Sequence, residues 1–114
     1  MNNKVVGASG EQDAKEYLID NGYDIIALNE IVAGVEIDII CRIDDIIVFC
    51  EVKNRETESY GRGIESINKT KIQRYVRAGK VYMTKKDRQN CSLRFDVIEI
   101  NHGKLEHVED AFRG

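Results

Sequence analysis

A chain of 114 residues with 42% hydrophobic content suffices for one compact domain with a real core and leaves no room for a second. No apolar run approaches the ~20 residues that cross a bilayer, and the opening MNNKVVGASGEQ lacks the apolar core of a signal peptide, so a cytoplasmic protein with no membrane role is expected. The formal charge of −3 by itself argues against a nucleic-acid partner, but 11 Lys and Arg against four acids give the segment from Lys53 to Arg88 +7 and leave −10 for the remainder.

Ser9 followed by Gln12 is a capping-box pattern that predicts a helix through about Asn21, closed by Gly22, with Ala14, Tyr17 and Leu18 as its inner stripe. Asp24 to Leu28 predicts a first strand. Val35 to Ile43 and Ile46 to Asn54 predict two more, joined across Asp44-Asp45. After the loop RETESYGRG, the recurrence of Ile72, Tyr75, Val76, Gly79 and Met83 predicts a second helix from about Asn68 to Lys85. Leu93 to Ile100 reads as a strand, Asn101-His102-Gly103 as a turn and Lys104 to Val108 as a short last strand. The expected fold is α/β, in the order α-β-β-β-α-β-β. Cys41, Cys50 and Cys91 lack metal-type spacing and are expected as reduced, buried small hydrophobes, while His102 and His107, with no Cys nearby, are expected on the surface.

An Asp44-Asp45 turn at the centre of a hairpin sets Arg42 opposite Ile47, Ile40 opposite Phe49, Asp38 opposite Glu51 and Glu36 opposite Lys53. Alternation then predicts one apolar face of Ile37, Ile39, Cys41, Val48, Cys50 and Val52. The other face is apolar near the turn and acidic toward its open end. Two carboxylates opposed on one half-buried face repel each other and lose hydration. A hard divalent ion, Mg²⁺ or Mn²⁺, compensates both, held by Asp38, Glu51 and the Val52 carbonyl, with Lys53 on the same face to hold phosphate or activate water. The same residues also read as ordinary charges on a solvent-facing sheet, and the residue pattern leaves both readings open.

The run GASGEQDAKEYLIDNGYDIIALN, GVEIDII, VFCEVKNR, GIESINKTKIQRYVRAGKVYM and RFDVIEI closely resembles the YraN-like family of small bacterial proteins, within the restriction-endonuclease-like PD-(D/E)xK superfamily, and spans nearly the whole chain. It is more distantly similar to archaeal Holliday-junction resolvases. The resemblance implies a mixed sheet flanked by helices. It also implies that Asp38 in EID is the metal-binding Asp, that Glu51 and Lys53 in EVK are the acid and lysine, and that Glu11 in SGEQ is the helix carboxylate. Ile37 stands where the superfamily's namesake proline would, which leaves a metal ligand unaffected. Glu11 alone also fits a helix-dipole role; with the resemblance it joins the expected metal set. Lys71 and Arg74 match basic positions of the family and, with Arg55 and Arg62, are the expected nucleic-acid contacts, although solvated helix charges would look the same.

These features point to a metal-dependent endonuclease acting on DNA, branched or structured. The alternative is a non-catalytic nucleic-acid-binding protein derived from a nuclease fold, and a third reading is a purely structural protein. Paired cuts on a junction would require a homodimer.

Overall fold

The computed structural model describes residues 6–54, 69–88 and 90–113. Helix α1 (Val6–Asp20) precedes strands β1 (Asp24–Val32), β2 (Val35–Ile43) and β3 (Ile46–Asn54); helix α2 (Lys69–Lys85) crosses over to β4 (Ser92–Asn101), and β5 (Lys104–Val108) follows. The strands form one mixed sheet in chain order, antiparallel except for the β3–β4 pair, which is parallel. A parallel pair needs a crossover, and α2 supplies it. The fold is therefore the expected α/β order.

Local chemistry sets the turns. α1 ends where Gly22 takes φ +90° and Tyr23 N–H reaches back to the Leu18 carbonyl at 2.9 Å, a left-handed helix stop for which glycine has no steric penalty. Positive φ at both His102 and Gly103 closes the β4–β5 hairpin, and at both Ala33 and Gly34 the β1–β2 hairpin, the turn geometry that matches strand twist. β1 thus runs four residues past the predicted Leu28. At the other end of α1, Ser9 lies inside the helix rather than capping it, and Gln12 bonds Glu16 one turn on. Val6, Gly7 and Ala8 contain no proline to stop an extra turn.

Each helix covers one face of the sheet. Ala14 and Leu18 of α1 pack on Ile39, Cys41, Val48, Cys50, Ile98 and Ile100. Tyr75, Ala78 and Tyr82 of α2 pack on Ile37, Ile40, Ile47, Phe49 and Phe95. The buried stripe of α2 is rotated from the predicted one, with Ala78 and Tyr82 buried and Ile72, Val76 and Met83 only partly so. Cys41 and Cys50 are buried free thiols and Cys91 is half-buried; burial, and next the charge of Asp96, push the Cys41 thiol up to about 12, which keeps it protonated.

The predicted six-residue apolar face holds except at Ile37. Residues two apart on a strand share a face, yet Ile37 packs with the α2 cluster and Ile39 with the α1 cluster. The change of face falls at Asp38. Opposite it on β1, Asn29 takes φ +52° and drops out of the register between the pairs Leu28–Ile39 and Glu30–Ile37. Asn tolerates the left-handed region, so this pair is where the outer β1–β2 hairpin turns toward α2.

Gly79 is required by packing. A Cβ there would lie 2.6 Å from Leu93 Cδ2 and 3.0 Å from Phe95 Cζ, too close for a leucine methyl and a phenyl ring of the core to accept without repacking. Gly79→Ala is expected to destabilise the fold by about 1–3 kcal/mol despite the better helix propensity of alanine. Urea denaturation reads this; an unchanged midpoint would show that β4 gives way freely.

Candidate functional site

The β2–β3 hairpin has the register expected from its turn, Ile43–Ile46 through Arg42–Ile47 and Ile40–Phe49 to Ile39–Cys50. The backbone ladder ends there. One residue further, Asp38 Oδ2 accepts the Val52 N–H at 2.8 Å, so a side-chain carboxylate takes over where a backbone carbonyl of β2 would have served. Asp38 and Glu51 are therefore adjacent across the hairpin without being a ladder pair. The expected Glu36–Lys53 pairing does not form part of the ladder either: Glu36 is exposed and pairs with Ile31 on β1. Once Asp38 rotates the strand, its outer end belongs to β1 and α2.

Glu51 is 5% exposed. Its Oε1 accepts from the Tyr75 hydroxyl, and its Oε2 accepts from Lys71 Nζ at 2.5 Å and lies 3.4 Å from Lys53 Nζ. Tyr75 and Lys71 stand one turn apart on α2, which puts both on one helix face. A hydroxyl and two ammonium groups thus neutralise a carboxylate that burial alone would penalise severely. Burial would depress the Lys71 ammonium, but the bond to Glu51 and its charge outweigh that and leave it raised. Burial and the nearby Glu51 push the Tyr75 hydroxyl far up, so it remains a donor.

Asp38 is less well compensated. Burial, then Glu51 and, more weakly, Glu11 raise its carboxyl to about 7 against the opposing effects of the Val52 N–H and Lys71. Glu11, half-buried near the start of α1, adds negative charge on this side of the sheet. Gly10 lies so close to β3 that a Cβ on it would meet Asn54 Nδ2 at 2.8 Å. Among the described residues no three His, Cys, Asp or Glu side chains gather into one metal-holding group. Within a strand residue the N–H and carbonyl point to the same side, so the Val52 carbonyl points to the β2 side of the strand as its N–H does.

Of the basic contacts expected, Lys71 is drawn onto Glu51, and Arg74 is exposed in a groove beside it. That groove, about 550 Å³, is lined by Tyr75, Lys71 and Glu36 on the side of the site and by Arg77 further along. Arg55 and Arg62 lie outside the described residues. Sequence reasoning placed Tyr75 in the core stripe and missed its hydroxyl; its spacing of four from Lys71 was the available signal.

The histidine expectation holds for His102, which is exposed, and fails for His107. The His107 side chain is 5% exposed, with Nε2 2.7 Å from Asp96 Oδ2 and Nδ1 2.9 Å from the Tyr17 hydroxyl. Arg94 bonds the same carboxylate through Nε and a terminal nitrogen at 2.9 and 2.8 Å, and Tyr23 at 2.8 Å. Burial would raise the Asp96 carboxyl, but these bonds and the Asp110 N–H outweigh it and hold it below the ordinary range. This satisfied network ties α1 to β4 and β5 and was not legible from an exposed-looking KLEHVED.

The matching family model covers residues 10–100, from the first turns of α1 to the end of β4. The chain belongs to the uncharacterised protein family UPF0102. It is 40% identical over 117 residues to a UPF0102 protein of Clostridium perfringens (strain SM101 / Type A), covering 97% of this chain and 96% of that one. A UPF0102 protein of Sulfurihydrogenibium sp. (strain YO3AOP1) is 39% identical over 102 residues, covering 90% and 89%, and one of Clostridioides difficile (strain 630) is 36% identical over 114 residues, covering 98% and 100%. The family match includes every described residue of the Asp38–Glu51–Lys53 site.

Two measurements test the electrostatics. An unfolded Asp titrates near 4 and Asp38 near 7, so between those values the folded state holds the extra proton and stability falls as pH rises, by up to ~1.4 kcal/mol per pH unit. Asp38→Asn keeps an oxygen for the Val52 N–H and removes this component. Urea melts of both proteins in chelator, from about pH 5 to about pH 7, should diverge; parallel profiles would exclude Asp38 as the titrating group. Separately, Lys71→Met removes a charged hydrogen bond from buried Glu51 and is expected to cost about 1–3 kcal/mol in chelator, and an unaltered melt would mean that Lys53 and Tyr75 suffice.

Proposed function

We propose that the protein is a divalent-metal-dependent endonuclease of the PD-(D/E)xK type, acting on DNA, branched or structured, in the cytoplasm. The observation that carries this reading is the convergence of Asp38 and Glu51 at the end of one hairpin, with Lys53 3.4 Å from Glu51. The similarity of EID and EVK to the superfamily's motif, in a helix-flanked mixed sheet, supports it.

The donor set suits Mg²⁺ or Mn²⁺. Asp38, pushed up to about 7 beside Glu51, is a carboxylate short of positive charge, and these ions are commonly held by one or two carboxylates together with water and phosphate oxygens. Asp38, Glu51 and the Val52 carbonyl would hold the ion, with Glu11 adding negative potential. When bound, the ion supplies Lewis acidity at the phosphate and acidifies water. Lys53, half-buried on the same face with a side chain 12% exposed, positions the attacking water and offsets charge that develops on the phosphate. Tyr75 holds the Glu51 carboxylate in place. Arg74 and neighbouring cations bind the backbone.

One observation favours a non-catalytic nucleic-acid-binding protein on the same fold: both Glu51 oxygens already have donors, from Tyr75 and Lys71. A cleavage panel of duplex, flap, single-stranded and junction DNA in Mg²⁺ or Mn²⁺ separates the two. Wild type should cut at least one substrate, and Lys53→Ala should bind it with comparable affinity and cut at least a hundredfold more slowly, the scale of a lost acid–base or charge-stabilising group. Cleavage that survives the substitution or excess chelator would reject this site, and binding without cleavage by wild type would select the non-catalytic reading.

A further inference from the structure

Beyond Arg77 the surface between α2 and the β1–β2 hairpin is grooved again. A second groove of about 220 Å³, lined by Glu30, Ile31, Val32, Ala33, Val81, Tyr82, Lys85 and Lys86, shares Ala33 with the first. Together they follow α2 from Lys71 to Lys85, about 21 Å at 1.5 Å per residue, between that helix and the β1–β2 hairpin. Arg74, Arg77 and Lys85 fall three to eight residues apart on α2, with Lys86 just beyond it, and all four are exposed. Among the described residues none of the four pairs with a carboxylate. A helix that leaves its cations in a row, unmatched, over a groove offers repeated anion sites.

The opposite wall has different chemistry. The hairpin presents the 63% exposed Ile31 with Ala33 and Val35, and its charged members are the acids Glu30 and Glu36. A ligand that satisfies both walls is anionic along one edge and apolar along the other. A duplex has phosphates on both flanks and keeps its base faces stacked, so its second backbone would approach Glu30 and Glu36. A single strand has one phosphate edge and unpaired bases with exposed flat faces.

We propose that this groove is a track for a single nucleic-acid strand, its phosphates along α2 and its bases against the β1–β2 hairpin. The track leads to Lys71 and Tyr75, the two residues that also bond Glu51. As the route by which a strand reaches the metal site it rests on the nuclease reading; as a binding surface it stands on the two walls of the groove.

The test is fluorescence anisotropy with labelled oligothymidylate and a duplex of equal length, in Ca²⁺ and in chelator, on the full chain. Wild type should bind the single strand at least tenfold tighter than the duplex. Arg77→Glu/Lys85→Glu, at two exposed positions, should lose at least tenfold and show a log–log salt slope shallower by up to about 1.4, at ~0.7 per lost single-strand phosphate contact. Ile31→Asp should lose single-strand affinity with the salt slope retained, which a purely electrostatic surface would not produce. Equal affinity for duplex, or a charge-reversed variant that binds the single strand as wild type does and melts at the same temperature, would overturn the track. Calorimetric Mn²⁺ titration of wild type reads the metal site independently: strand binding without Mn²⁺ binding would sink the nuclease reading and leave the track, and Mn²⁺ binding with no strand preference would do the reverse.

Discussion

The structure depends on how an acidic pair at the end of the central hairpin is accommodated. Glu51 is buried on β3 and Asp38 beside it on β2, and neither can be ionised in an apolar surround without donors. α2 meets the requirement of Glu51 through Tyr75 and Lys71. Asp38 obtains one backbone N–H from Val52. The docking of α2 is thus tied to the charge of the site as well as to the apolar contacts of Ala78 and Tyr82 with Phe49 and Phe95. Any ion or phosphate that enters competes with groups that help hold this helix on the sheet.

The same residue that creates the electrostatic problem also shapes the backbone. By capping Val52 with its side chain, Asp38 ends the β2–β3 ladder and lets β2 change face, with Asn29 taking up the strain in the left-handed region. The outer hairpin then leans toward α2, which produces the grooved surface along that helix. A strand that kept perfect alternation would place Ile37 under α1 and leave the α2 face flatter.

On the opposite face the Asp96, Arg94, His107 and Tyr17 network solves a similar problem differently. Both Asp96 oxygens and both His107 ring nitrogens have partners within the fold, so Asp96 stays ionised and α1 is fastened to β4 and β5. The contrast is informative. One buried carboxylate is fully satisfied from within; the other site holds Asp38 at about 7 and opens onto a cationic groove.

Element types and their order were determined by the sequence, because period-2 and period-3.6 apolar patterns and the Gly22, Asp44-Asp45 and His102-Gly103 turns are local in origin. The hairpin register from Ile43–Ile46 to Ile39–Cys50 followed from the turn, and with it the proximity of Asp38, Glu51 and Lys53. Only the tertiary structure decided the partners. That Lys71 and Tyr75 reach Glu51, that Ile37 turns to the α2 face, and that His107 is buried against Asp96 and Tyr17 all depend on contacts between residues far apart in the chain. A charged or aromatic side chain reads the same in sequence whether it faces water or a buried carboxylate, and packing alone chooses between them.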